Sequence, residues 1–573
     1  MDTEYDVVIV GSGVAGALCA WQLTELGNYK ILILEAGDNG TTLGQRIKFH
    51  HTMDTQGNRG DMYAPYKELR SREFAPAPEN AQLELAQQKA GAETYFDYTD
   101  GSKDAFKAGY NRMVGGSTWA WRGNCPRFIP SDFNLPGLYG VGRAWPFGYE
   151  ELEPWYCQAE RELGVSGNHD ELDGLWGGFR SQPFPMKGIP RTFSDTKVAA
   201  KIQGRTVRGT TIDVVTTPQA RNSEFYDERP ACEGHSNCIP LCPIQAKYDA
   251  TVHLNRLLRT GKVTLKTAAM VVRLELGVDG KIGSVIYKDW KSDDIQRERS
   301  VHGKVVILAA HAIETPKLLL MSGGGLANSS DMVGRNLMDH VQFELIASFP
   351  EPIYPFRGPQ SVTGIEAFRD GDFRSARSAF RMTIGNDGWG RTGSPATVID
   401  NLLKAGTYGS ALPGAIAARI PNMIRLSFST EMLADPNNRV QLSGKTDPIM
   451  GLPRPLFTFD IGTYTQNGLR EGFATAQELF GVMGATISPS AKPLEPPGGG
   501  RMNWNTAAHI MGTCIMGNNA ADSVVDRWGR THDVGNLWIV GSSVFPTSAT
   551  SNPTLTLGAL ALRTGSAIHR ALH

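Results

Sequence analysis

The chain has no apolar run near the roughly 18 residues that span a bilayer. The nearest stretches, 305–308 and 318–321, are separated by Glu314, Thr315 and Pro316, so no direct membrane insertion is expected. Neither sign of charge prevails. The 573 residues hold 57 Lys and Arg against 58 Asp and Glu, which excludes a globally basic nucleic-acid binder and a polyacidic tail protein. The start, MDTEYDVVIVG, has no basic residues and no apolar leader. The chain is therefore expected to carry no export signal of its own. Seven cysteines are too few and too unevenly placed for a disulfide framework. There is no internal repeat, no low-complexity linker and no C-x-x-C-H for haem attachment. With 41% hydrophobic and 20% charged residues, the composition is that of a globular protein. The length suggests roughly two to four domains.

Glycine is abundant, at 64 residues, which points to tight turns and to backbone that approaches a ligand closely. Residues 6–10, DVVIV, form a short β-branched run. GSGVAG follows, then the apolar-periodic ALCAWQLTELG, then a second apolar run, KILILEAG. This order predicts a strand–turn–helix–strand unit in a parallel sheet covered on both faces. Gly11, Gly13 and Gly16 make G-x-G-x-x-G directly after the strand. The first glycine serves the tight turn, the second lets backbone approach a pyrophosphate, and the third lets helix and strand pack. The helix N-terminus offers free N–H groups and partial positive charge to phosphates. Glu35 ends the second strand, placed to accept ribose hydroxyls, and Glu35-Ala36-Gly37 tilts the expected cofactor toward FAD over NAD.

Strand-like runs recur at 263–274, 281–287 and 304–310, and the helical stretch ETPKLLLMSG follows the last. From 341 to 500 the pattern becomes short alternating runs, FELIASF, NMIRLSFS and NRVQLSG, with a helix around 465–484. That predicts an antiparallel sheet in an inserted α+β domain. The tail returns to α/β patterning, with a strand in NLWIVGSS and a helix from NPTLTL onward. The expected boundaries are 1–345 for the dinucleotide domain, with a cysteine segment near 225–250. Residues 346–499 form the substrate domain, and 500–573 return to the first.

Cys19, Cys125, Cys157 and Cys514 are scattered and read as buried free thiols. Cys232, Cys238 and Cys242 are crowded together, with Pro243 after the last. Three thiolates at such spacing suit an iron–sulfur cluster. His235 lies between the first two, so spacing alone leaves a zinc site, or plain buried thiols, open.

Gly115-Gly116-Ser117-Thr118, AAHAIETPKLLLMSG at 309–323, VGRNLMDH at 333–340, His509 and Asn552-Pro553 together resemble the glucose–methanol–choline (GMC) oxidoreductase family. The resemblance covers both ends and the middle of the chain and is weakest over 345–430. Within the family, YGVGRAWPFGYEELEPWY and CIPLCPIQAKY are similar to the catalytic subunits of bacterial membrane-linked sugar dehydrogenases. The resemblance implies a Rossmann-type α/β FAD-binding domain with an inserted α+β substrate domain built on an antiparallel sheet. It implies oxidation of a sugar or glycoside hydroxyl. FAD would be held by Gly11, Gly13, Gly16, Glu35, Gly115, Gly116, Ser117, Gly541, Ser542, Asn552 and Pro553.

It also implies that His509 and Asn552 face the reactive side of the flavin. A neutral imidazole is the natural base for an alcohol about to lose hydride. Asn552 cannot titrate and would orient the hydroxyl. An ordinary histidine there predicts flavin reduction that rises with pH through one step near neutrality. His340 reads as structural. By the same resemblance, Cys232, Cys238 and Cys242 hold a [3Fe-4S] cluster that relays single electrons to an outside acceptor. The implied partners are a small escort subunit with a twin-arginine signal and a cytochrome c subunit. They would place the chain at the periplasmic face of the inner membrane, whereas its own start reads as cytoplasmic.

Close sugar dehydrogenases carry His between the two tryptophans of Trp119-Ala120-Trp121, so FAD is expected to be bound here without a covalent tether. RGNCPRFIPSDF at 122–133 also differs from the glucose and fructose enzymes, which turns the expectation toward the C3 hydroxyl of a glucoside. An FAD oxidase or other alcohol dehydrogenase, a lyase keeping FAD for structure, and a non-catalytic zinc-containing nucleotide-binding protein are the alternatives. The crowded cysteines argue against the oxidase and the lyase, which need no relay.

Overall fold

The computed structural model describes residues 4–47 except 39, 43 and 45, residues 95–447 except 235–237, 240 and 387–394, and residues 450–573 except 489–492 and 498–499. The apolar run that opens the chain forms the middle of a sheet. Glu4–Val10 pairs in parallel with Ile31–Leu34 on one side and with the end of Glu298–Leu308 on the other. Val263–Lys266 and Leu537–Ile539 extend the two flanks, also in parallel. Val7, Val8, Ile9, Ile31, Ile33 and Ile307 are fully buried, as expected for a parallel layer covered on both faces. The run at 263–274 divides into two strands, because Ala268 turns the backbone at φ +53°. The second, Ala269–Leu276, joins an antiparallel meander with Ile282–Asp289 and the start of Glu298–Leu308.

The helix Val14–Leu26 leaves the glycine turn. The last helix, Thr554–Leu572, lies against it through two glycines. A Cβ on Gly558 would come within 3.2 Å of Leu18 Cδ1, and one on Gly565 within 3.0 Å of Gln22 Cβ. The end of the chain is thereby docked on its beginning, and Asn552-Pro553 is carried to the dinucleotide turn.

A second sheet is antiparallel. Its order is Thr486–Ile487, Val341–Ser348, Met423–Thr430, Phe380–Gly385, Thr363–Ile365, Val214–Thr216, and Asn505–Thr506 adds to Val341–Ser348. Two of these strands, 214–216 and 505–506, come from segments that flank 346–499. Alternation along Val341–Ser348 buries Phe343, Leu345 and Ala347 and turns Gln342 and Glu344 to a cavity on the other face. The helix Gly462–Met483 packs on this sheet, and Gly472 lies so close to Phe428 that a Cβ would meet its ring at 2.5 Å. Among the described residues no helix is long and apolar enough to cross a membrane.

Candidate active site

One cavity of about 650 Å³ runs from the glycine turn to the antiparallel sheet, within the range of cofactor and ligand sites. The three glycines of the turn divide the work as the motif requires. Gly11 sits at φ +102°, and a Cβ on it would strike Ala309 O at 2.6 Å. A Cβ on Gly16 would strike Gly11 O at 2.2 Å, so it serves packing and does not face the cavity. Gly13 lines the cavity with nothing within 4 Å of its missing Cβ. The helix that starts there has no side-chain cap and no acid in its first turn, which leaves N–H groups free for an anion. Glu35 lines the same end and is buried. It accepts from Ser12 N at 2.9 Å, Ser12 Oγ at 2.6 Å and Gly37 N at 2.7 Å. Burial raises its pKa against the pull of these donors.

Gly116, Ser117, Gly541, Ser542 and Pro553 also line the cavity. Gly115 stands behind, at φ +88°, where a Cβ would meet Trp119 Nε1 at 2.7 Å, and its N–H reaches Ser12 Oγ at 3.2 Å. Ala120 and Trp121 line the wall, whereas Trp119 is fully buried. The residues present therefore fit a bound dinucleotide: an open glycine, free helix N–H groups and an acid lie in one cavity.

Beyond that end, the cavity meets His509 and Asn552, and the buried His340 stands behind His509. His340 Nε2 lies 3.0 Å from Ser548 O and 2.9 Å from Ala549 O. Both are acceptors, so this nitrogen carries the proton. His340 Nδ1 is then a lone pair, and it lies 2.8 Å from His509 Nδ1, which must be the donor. That leaves His509 Nε2 unprotonated, 2.9 Å from the Asn552 amide nitrogen, which donates to it. The hydrogen-bond pattern thus assigns one tautomer, with a basic nitrogen facing the cavity. Burial lowers the His340 pKa to about 4. Burial, then His340, then the Arg122 cation push His509 well below its ordinary value. His340 was legible in VGRNLMDH only as a motif position; its contact with His509, 169 residues away, is a product of the fold.

The backbone holds this pair in place. His509 N donates to Asp339 Oδ1 at 2.8 Å, and Thr506 Oγ1 donates to the other carboxylate oxygen. Burial raises the Asp339 pKa to about 6. Asn552 follows a hydroxyl-rich loop, TSATS, whose hydroxyls are all engaged. Trp145 Nε1 donates to Thr547 Oγ1 at 2.7 Å, Ser548 Oγ bonds Met432 O at 3.0 Å, and Arg369 reaches Thr550 and Ser551. The density of short hydroxyl side chains fixes a loop that has no regular structure of its own.

The cysteine segment lies beside the cavity, which Ile239 helps to line. Cys238 and Cys242 are buried and Cys232 is half-buried. Arg221 Nη1 donates to Cys238 Sγ at 3.3 Å. Lys247, fully buried, donates to Trp119 O at 2.8 Å and Trp121 O at 2.5 Å. Burial lowers its pKa to about 8, against the pull of Cys238 and Cys242. Among the described residues no group of three or more His, Cys, Asp or Glu side chains is gathered to hold a metal ion. The donor chemistry nonetheless fits: three thiols on one loop, with two fixed cations to balance thiolate charge. His235, the fourth ligand of the zinc alternative, lies outside the described residues.

Family models described as GMC oxidoreductase match residues 5–342 and 434–561. The chain is 33% identical to the fructose dehydrogenase large subunit of Gluconobacter japonicus, over 98% of this chain and 97% of that one. It is 26% identical to 2-methyl-1,2-propanediol dehydrogenase of Mycolicibacterium austroafricanum, over 99% and 95%. The fold is similar to that of pyridoxine 4-oxidase from Mesorbium loti, with a TM-score of 0.61 at 20% identity, covering 99% of both chains. With the two models together spanning most of its length, this chain belongs to the GMC oxidoreductase family, enzymes that bind FAD and oxidise the hydroxyl groups of alcohols and sugars.

Proposed function

We propose that the chain is the catalytic subunit of a dehydrogenase that oxidises a ring hydroxyl of a sugar or glycoside, with the C3 hydroxyl of a glucoside as the leading candidate. The observation that carries this reading is the unprotonated His509 Nε2 facing the cavity beside Asn552. FAD, held by the glycine turn, Glu35 and the 541–553 segment, supplies the hydride acceptor when bound. His509 Nε2 takes the hydroxyl proton of the substrate. Asn552 turns its amide to the same hydroxyl and fixes the carbon's approach. His340 keeps the His509 ring in the required tautomer. Ala120, where the close sugar dehydrogenases carry histidine, supports non-covalent binding of FAD, and the 122–133 segment supports a substrate other than glucose or fructose.

Cys232, Cys238 and Cys242 are the proposed ligands of a [3Fe-4S] centre, which would supply one-electron transfer toward a cytochrome- or quinone-linked acceptor. A small escort subunit and a cytochrome c subunit are the proposed partners, at the periplasmic face of the inner membrane. The full-length likeness to a subunit named as the large one of a fructose dehydrogenase supports a multi-subunit enzyme. Anaerobic bleaching of the flavin by a panel of sugars, glucosides and simple alcohols tests the reading, with NMR of the product locating the oxidised carbon. Bleaching by a methyl glucoside to a 3-keto product is expected. Bleaching by simple alcohols alone would overturn the sugar assignment.

A further inference from the structure

The cavity wall opposite the glycine turn is a polar ladder set by strand register. Gln342 faces Ser429, and Ser429 faces Arg381. Two residues along, Glu344 faces Ser427, and Ser427 faces Thr383. All six line the cavity. The residues between them, Phe343, Phe428 and Met382, point to the opposite face and are buried. The wall therefore carries two rows of three polar side chains, the rows about 7 Å apart and neighbours within a row about 5 Å apart. It is continuous with the His509 site, because Val341–Ser348 follows His340 directly and pairs Gln342 with Asn505.

Two features say what this wall reads. Ser427 is 4% exposed, yet its hydroxyl has no hydrogen-bond partner among the described residues, and Ser429 and Gln342 also make no side-chain hydrogen bond there. Buried hydroxyls are nearly always bonded, so an unpartnered one on a cavity wall calls for a ligand group or a water. The charges of the wall are already paired. Arg381 Nε donates to Glu366 at 2.5 Å, with Nη2 on Thr217 at 2.7 Å and Nη1 on Thr383 at 3.2 Å. Glu344 lies 3.4 Å from Arg425. What remains for a substrate are hydroxyls and an amide, which suit ring hydroxyls and not a carboxylate or an ammonium group.

We propose that Ser427 and Ser429, with Gln342, determine specificity by hydrogen-bonding the non-reacting hydroxyls of an uncharged sugar ring. The inference rests on the sugar-oxidising reading above and deepens it. The test uses the FAD-loaded protein and its Ser427→Ala and Ser429→Ala variants, each checked for wild-type flavin content. Anaerobic flavin reduction is followed against the concentration of methyl glucoside, glucose, fructose, gluconate and 1,2-propanediol. For the best neutral sugar, each variant is expected to raise the half-saturating concentration about 5- to 10-fold, the cost of one hydrogen bond. The limiting reduction rate should stay within about twofold, because neither hydroxyl meets the reacting carbon. The concentration dependence for 1,2-propanediol, which keeps one non-reacting hydroxyl against the several of a sugar ring, should move less than about twofold. Unchanged half-saturation for the sugar in both variants overturns the wall's role. Tighter binding of gluconate than of any neutral sugar overturns the uncharged class and points instead to Arg122 on the opposite loop. Reduction by propanediol and by no sugar overturns the underlying sugar reading, and the wall with it.

Discussion

His509 shows how placement changes the chemistry of a single residue. Its unprotonated nitrogen is assigned by a chain of partners, two carbonyls on His340, His340 on His509, and Asn552 on the far nitrogen. General-base help contributes about 10²–10⁴-fold, so His509→Ala should slow flavin reduction by that order, with FAD content unchanged. Asn552→Ala should cost less, since it removes orientation and no proton path. An ordinary histidine would give a step near neutrality; the fold alters that. Only the neutral ring is a base, and burial with the Arg122 and His340 neighbours lowers its pKa. Lowering the pKa keeps the base competent further into acid. The limiting rate of flavin reduction should therefore be level through neutral pH and fall only well below the usual histidine range. Stopped-flow bleaching across pH checks both claims. A wild-type rate and pH profile in His509→Ala would make this histidine structural.

Short elements carry separable jobs. Where Glu4–Val10 passes into Val14–Leu26, Gly16 in the first turn of the helix is a packing glycine, and Gly13 at its N-cap lines the cavity. Gly16→Ala puts a methyl group 2.2 Å from Gly11 O, and relief of such a clash costs about 1–3 kcal/mol. The melting temperature should drop by several degrees even without cofactor. Gly13→Ala meets open space, and its backbone, at φ −64° and ψ 178°, is extended and open to any residue. It should melt near wild type as apoprotein yet lose FAD on gel filtration. Equal melting temperatures for the two apoproteins would refute this division. The cysteine segment is a second such element, far from the glycine turn in sequence. Cys238→Ser is expected to abolish the iron of the proposed cluster and its electron paramagnetic resonance signal. Flavin bleaching by substrate should survive, and transfer to an external cytochrome should collapse. Zinc in place of iron in the wild-type protein would end the relay assignment.

At the scale of the molecule, one cavity joins two sheets and the two ends of the chain. The end proposed for the cofactor is lined by residues from 10–36 and 540–553, and the end proposed for the substrate by strands of the antiparallel sheet. Ala120 lines this cavity. Its methyl group has no atom with which to form a bond to the flavin. Acid precipitation should therefore release yellow flavin into the supernatant, and flavin retained in the denatured pellet would mean another attachment residue.

Local chemistry was enough for some of this. The β-branched runs, G-x-G-x-x-G and Glu35 lie within 30 residues, and each part of that unit depends on its near neighbours alone. The alternation at FELIASF likewise foretold a strand with one polar face, since side-chain direction has a period of two. The family motifs marked His509 and Asn552 as a pair. Tertiary structure decided the rest. His340 meets His509 across 169 positions. The ladder of Gln342, Ser429 and Arg381 needs three strands in one register. The run at 263–274 became two strands, one paired in parallel with Ile31–Leu34 and one in the antiparallel meander, because of one backbone reversal at Ala268. Even the acidity of His509 was set by burial and by Arg122, which arrives from a loop far off in sequence. A sequence specifies which groups are available, but a pKa, a tautomer or a binding wall depends on what surrounds them, and that is fixed when distant segments pack.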